Sequence, residues 1–202
     1  MPYAKKLEIL RINAPIKSFD SSKIPNIEWL KIIASMPEIS YDNNVKLVSL
    51  YMNAPVDTLD IGKLPALKYL TLENSYIGVF NSAHPTLNNL IIKKCDVTEI
   101  DVSGLPELRS VTVSNSNLNN FIASENNTLL EEIDFRKCKE LMSVDIKKIN
   151  EMNVVTYDYI GNKDRSIDKA IEEVWDSQTG QIELMEKLKD LNIYFSPQYD
   201  DV

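Results

Sequence analysis

Residues Leu87 to Pro106 read LNNLIIKKCDVTEIDVSGLP, and the spacing of their apolar side chains decides the fold. Leu87, Leu90, Ile92, Val97, Ile100 and Leu105 stand at offsets 0, 3, 5, 10, 13 and 18, after which Leu108 begins the pattern again. The spacing has neither the 3.6-residue period of a helix nor the simple alternation of a half-buried strand. It describes a longer unit that turns corners.

Sliding that template along the chain finds further starts at Leu7, Ile27, Leu47, Leu67, Leu108, Leu130 and Met152, so that successive starts lie 20, 20, 20, 20, 21, 22 and 22 residues apart. The first three columns stay apolar throughout, for example Leu7/Leu10/Ile12, Leu47/Leu50/Met52 and Leu130/Ile133/Phe135. Two later columns follow them: Ile16, Met36, Val56, Ile77, Val97, Leu118 and Leu141, then Phe19, Ile39, Leu59, Phe80, Ile100, Phe121 and Val144. A unit this short cannot bury its apolar face alone, so repetition at such a period implies stacked coils with a shared core.

The motif LxxLxLxx(N/C)xL at this period resembles the short, bacterial-type leucine-rich repeat family, over roughly residues 7 to 159. The resemblance implies an α/β solenoid: a right-handed coil whose parallel concave sheet has about eight short strands, closed by a C-terminal helical cap. It implies no particular activity, because one fold hosts many functions. The expected division is a solenoid at 1–159 and a capping segment with tail at 160–202. Within the cap, Ile167, Ala170, Ile171, Val174 and Trp175 have helical spacing behind Ser166 as N-cap, and QIELMEKLKDLN from Gln181 continues as a second helix. Residues 196–202 read as a loose tail.

Composition narrows the function classes. The chain has 202 residues, 44% hydrophobic and 26% charged, the profile of an ordinary globular protein. No apolar run is long enough to span a membrane. No signal peptide is visible at MPYAKKLEIL, which favours the cytoplasm unless the N-terminus is processed or truncated. Residues 1–150 are nearly neutral, whereas residues 151–202 hold most of the net charge of −8. That balance argues against general nucleic-acid binding, which needs a basic surface.

The residues that carry chemistry elsewhere are scattered. Cys95 and Cys138 share the Asn/Cys column of the motif two coils apart, too far for a disulfide, and are expected to be free and buried. The single histidine, His84, reads as a turn residue without a fixed partner, so no nucleophile and base pair is suggested. Asp20, Asp60, Asp101 and Asp145 line up between coils, where carboxylates capping turns explain them better than calcium does. Pro25, Pro65, Pro85 and Pro106 mark the turns into the next strand. The run Ser124 to Thr128 should bulge at the surface, and Asn126 to Thr128 forms a glycosylation sequon that matters only in a secreted protein. No enzyme, cofactor or metal site is expected.

The concave face remains. With offsets 0, 3 and 5 buried, offsets 2 and 4 face outward, which exposes Ile9, Trp29, Tyr51, Tyr69 and Ile91 beside Arg11 and Lys31 in the N-terminal half. Tyr, Trp and Arg dominate binding hot spots. The expected site is therefore Arg11, Trp29, Lys31, Tyr51, Tyr69 and Ile91, contacting a protein partner. Two other readings stand beside it: self-association through the N-terminal edge strand, and the substrate-recognition part of a bacterial effector.

Overall fold

A computed structural model describes residues 6–16, 18–34, 38–40, 44–56, 59–145, 154–158 and 194–196. The first coil contributes strands β1 (Ile9–Asn13) and β2 (Ser18–Asp20), the second β3 (Trp29–Ile33) and β4 (Glu38–Ser40), and the third β5 (Ser49–Asn53). Coil four supplies β6 (Tyr69–Glu73) and β7 (Tyr76–Asn81), coil five β8 (Asn89–Lys93) and β9 (Asp96–Asp101), and coil six β10 (Ser110–Ser114) and β11 (Asn120–Ile122). Coil seven gives β12 (Glu132–Phe135) and β13 (Ser143–Asp145), and coil eight β14 (Val154–Asp158), with β15 (Tyr194–Ser196) following.

One strand from every coil joins a nine-stranded sheet in the order β1-β3-β5-β6-β8-β10-β12-β14-β15. All of its pairs are parallel, because each coil climbs in the same direction. The register matches the sequence columns: Ile9 pairs with Trp29, Trp29 with Ser49, Ser49 with Tyr69, and Tyr69 with Asn89. Behind it lies a second wall, split into a two-stranded piece, β2-β4, and a four-stranded piece, β13-β11-β9-β7.

The core fills the space between the walls. From the front come Leu30, Ile32, Leu50, Met52, Leu70, Leu72, Leu90, Ile92, Val111, Val113, Ile133 and Phe135, all buried, and from the back Phe80, Val97, Ile100, Leu118 and Phe121. Each such side chain contributes roughly 1.5–3 kcal/mol by leaving water. Phe121 and Phe135 meet across the core, ring centroids 4.9 Å apart. Leu7, Leu10, Ile12, Ile16 and Phe19 of the first coil are only partly buried.

Among the described residues the coils contain no α-helix, and short strands with 3-10 turns at Ser21–Lys23 and Ile61–Lys63 make the connections. The helical part of the expected α/β description rests on the cap. The expected helices fall on 166–192, outside the described residues. Tyr194–Ser196 corrects the reading of the cap's end and the start of a loose tail: it is a strand, pairing Tyr194 with Thr156 and Tyr157 with Phe195. An aromatic pair, Tyr194 and Phe195, suits a strand added to an open sheet edge.

Two columns of polar residues tie coil to coil. Ser75, Cys95, Ser116 and Cys138 are all buried in the position after the front strand's turn. Ser75 donates to the Ala54 carbonyl at 2.8 Å, Cys95 donates its amide to Ser116 Oγ at 3.1 Å, and Cys138 Sγ donates to the Val113 carbonyl at 3.3 Å. Neither cysteine is in a disulfide and both are buried, as expected.

The second column stands three residues before each repeat start and alternates in kind: Ile24, Asn44, Leu64, His84, Leu105, Asn127, every one buried. Asn44 Nδ2 donates to the carbonyls of Ser21 and Ile24, at 3.0 and 3.2 Å, while its Oδ1 accepts from the Ser21 hydroxyl. His84 Nε2 lies 3.0 Å from the Leu64 carbonyl, and Nδ1 accepts from the Thr86 amide at 3.4 Å. Asn127 Nδ2 donates to the carbonyls of Val102 and Leu105, at 2.8 and 3.0 Å. Each of those carbonyls also accepts from the backbone amide three residues on, so the side chains supply a second donor, each bond contributing about 0.5–1.5 kcal/mol. His84 thus departs from the turn residue without a fixed partner read in the sequence. The run Ser124 to Thr128 is only partly a surface bulge, since Asn127 turns inward between exposed Asn126 and Thr128.

The aligned aspartates cap turns: Asp60 accepts from the Gly62 amide at 3.1 Å and Asp101 from the Ser103 amide at 2.9 Å. Gly104 meets a packing limit, because a Cβ there would come within 2.9 Å of Ala83 Cα. That absence of side chain lets the Gly104 carbonyl accept from the His84 amide.

Candidate functional site

Strand alternation sends offsets 2 and 4 of each front strand away from the core, and the two resulting rows run across the sheet from coil to coil. Ile9, Trp29, Ser49, Tyr69 and Asn89 form the first, and Arg11, Lys31, Tyr51, Thr71 and Ile91 the second. All six residues expected at the site face the same side. Ile9, Trp29 and Tyr69 stay 58%, 50% and 44% exposed, whereas Lys31, Tyr51 and Ile91 are half-buried.

Trp29 and Tyr69 sit two strands apart, so their backbones are about 10 Å from each other. Their rings nonetheless approach to 6.4 Å between centroids, at 20° between planes. Ser49 makes this approach open to them, because the strand between carries only a hydroxymethyl group at the aligned position. The result is a flat aromatic ridge on a rigid backbone. Such offset pairs contribute about 0.5–1.5 kcal/mol beyond their buried area.

The second row is bound into a network. The Lys31 ammonium lies 4.2 Å from the centroid of the Tyr51 ring. Tyr51 donates its hydroxyl hydrogen to Glu73 Oε2 at 2.7 Å, and Lys94 Nζ holds Glu73 Oε1 at 3.3 Å. The bond to Glu73, with burial and the carboxylate charge adding to it, raises the Tyr51 pKa above the ordinary tyrosine value. Glu73 shifts the other way. The hydrogen bond from Tyr51 holds its carboxyl below the ordinary glutamate value against the opposing effect of burial, and Lys94 assists. Tyr51 is consequently fixed from both ends, a role that its position in the sequence did not disclose.

Farther along, the face turns acidic. Glu131 pairs with Arg109 at 2.7 Å, and buried Asp134 with Arg136 at 2.6 Å. Glu132 is exposed and accepts from the Ser110 hydroxyl at 3.2 Å.

Chemistry elsewhere is muted. Burial is the main cause raising the Cys95 pKa above the ordinary thiol value, which keeps the sulfur protonated and a poor nucleophile. His84 is committed to a backbone carbonyl inside the core. Among the described residues no group of three or more His, Cys, Asp or Glu is placed to hold a metal ion, and no helix is long and apolar enough to cross a membrane.

No family model and no curated protein matches the sequence. Solved structures do. The functional domain of InlJ from Listeria monocytogenes, which includes a cysteine ladder, superimposes with a TM-score of 0.63 at 18% identity, over 76% of this chain and 36% of that one. A leucine-rich repeat protein of Leptospira interrogans gives 0.62 at 15% identity, over 87% of this chain and 48% of its own. The chain spans less than half the length of either neighbour. Parallel strands stacked in the register of the sequence columns, together with these neighbours, establish that the chain has the leucine-rich repeat fold.

Proposed function

We propose that the chain is a non-catalytic protein-binding module that takes its partner on the N-terminal half of the concave face. The stacked but half-exposed pair of Trp29 and Tyr69 carries this reading. Burying those rings inside the coils would have stabilised the fold more than leaving them in water, and large aromatic surfaces on a rigid sheet are what a partner can desolvate at little entropic cost. Ile9 extends the apolar strip, and Arg11, Lys31 and Ile91 flank it.

Tyr51 serves the face indirectly, by holding the Lys31 ammonium in place. The repeat fold shared with the two neighbours agrees with an interaction role and does not by itself supply one.

Alanine at both Trp29 and Tyr69 tests the proposal. A partner captured by the wild-type chain and then purified should bind the double variant at least about thirtyfold more weakly, since hot-spot truncations cost about 2 kcal/mol or more. The urea midpoint should correspond to a loss of no more than about 1.5 kcal/mol, the scale of the ring stacking. Unchanged affinity together with a large loss of stability would identify the rings as supports of the sheet.

A further inference from the structure

Resting on the concave-face reading, we infer that the bound segment is acidic, with its carboxylates over coils one and two and an apolar side chain on the ring pair. The register sets Arg11 directly opposite Lys31 on neighbouring parallel strands, both facing outward. Like charges placed opposite each other destabilise a sheet. Three other cations near this face are paired within the chain: Lys94 with Glu73, Arg109 with Glu131 and Arg136 with Asp134. Arg11 and Lys31 form no salt bridge among the described residues.

Lys31 is moreover positioned, since the Tyr51 ring lies beneath its ammonium and Glu73 fixes that ring. A cation over a ring face keeps N–H groups for an incoming acceptor. Two adjacent cations, one carrying a planar guanidinium, suit a carboxylate.

Charge at the other end sets the direction. Glu132 stands six strand spacings from Arg11, about 29 Å, which is several Debye lengths at physiological ionic strength. A carboxylate over coil one therefore escapes its repulsion, whereas the same segment reversed about the ring pair would bring its acid to about 10 Å from Glu132, close to one Debye length. Attraction at one end and rejection at the other select orientation as well as composition. The ring pair lies over Ser49, between one and two spacings from the cation pair. An extended segment rising roughly 3.3 Å per residue places its acid about two or three residues from its apolar anchor.

A random peptide display library selected against the full chain tests this. Enriched sequences should carry Asp or Glu about two or three residues from an aromatic or aliphatic residue, as the strand spacing requires. A synthetic peptide of that sequence should lose about tenfold in affinity as salt rises from ~50 to ~500 mM. R11E with K31E should weaken it at least about a hundredfold with the circular dichroism spectrum retained, while E132K leaves it within about threefold. Neutral or basic enriched sequences, no enrichment, or indifference to R11E with K31E overturns the inference.

Peptides that lose binding on W29A with Y69A but lack acid overturn the charge assignment alone. Peptides indifferent to W29A with Y69A remove the concave-face reading as well. A chain that sediments as a dimer and becomes monomeric in W29A with Y69A would show that a second copy occupies the face.

Discussion

Coils one to three and coils four to seven solve the same corner differently. After their front strands, coils one and three continue Asn13-Ala14-Pro15 and Asn53-Ala54-Pro55, while coils four to seven place Asn74, Lys94, Asn115 and Lys137 at the equivalent position. Those four have φ of 55°, 51°, 52° and 61°, in the left-handed region, and Ala14 and Ala54 do not. The cause is local. A residue before proline is confined to extended backbone, so the left-handed corner is closed to both alanines.

The corner then governs the wall behind it. The left-handed residue leads directly into the Ser75, Cys95, Ser116 and Cys138 column and on to the four-stranded β7-β9-β11-β13 wall, whereas the Ala14 corner precedes β2 of the separate two-stranded wall and no described back strand follows the Ala54 corner. One repeat motif thus supports two kinds of coil, and the Trp29 and Tyr69 ridge straddles the seam between them.

Three measurements probe that difference, in descending size of effect. Asn127→Ala and Asn44→Ala each remove a buried amide that donates to two carbonyls and accepts one further hydrogen bond, and each should cost about 1.5–4 kcal/mol in urea unfolding. Similar losses would mark the alternating column as common to both regions; a cost confined to Asn127 would tie it to the four-stranded wall. Lys137→Gly should raise stability by about 0.5–1 kcal/mol by relieving a left-handed Cβ, while Ala54→Gly should lower it by a similar amount. Equal signs would dissolve the two-corner account.

The smallest effect is at the seam, in the bond from Tyr51 to Glu73. Glu73's carboxyl is depressed in the folded chain, so its contribution is present above the ordinary glutamate range and is lost as pH falls through the lower, folded value. Tyr51 is raised, so its contribution is present below the ordinary tyrosine value near 10 and is lost as pH rises through the folded value. Both describe one bond and are not summed. The gap in urea midpoint between wild type and Tyr51→Phe should be widest near neutrality and close at both extremes; a gap that ignores pH would remove the bond from the account.

Much of this architecture was legible because burial imposes the period. Any residue at offset 0, 3 or 5 must be apolar wherever a coil lies above and below it, so Leu90 or Met52 announces its own environment. His84 does not. Its partner lies 20 residues away, and only comparison of Asn44, His84 and Asn127 as one column reveals the alternation.

The face was legible as a set of directions, since alternation alone sends Trp29 and Arg11 outward. The lean of Trp29 toward Tyr69 depends on the small size of Ser49, and the seat of Lys31 on a ring fixed from the next coil. Those are rotamer choices, decided by neighbours a full turn away. Tyr194–Ser196 was obscured for another reason: the sequence from 159 to 193 carries no repeat, so no column pointed to the pairing of this strand with β14.

The alternating column also counts. Asn44 reaches from coil two back to coil one, His84 from four to three, and Asn127 from six to five, and no such side chain links two to three or four to five. The solenoid is therefore indexed in doublets, like a chain of riveted plates. Growth or shortening by whole doublets preserves each rivet, while a change by a single turn sets like beside like and loses the hydrogen bonds that cross from coil to coil. Length in such a molecule comes in even steps.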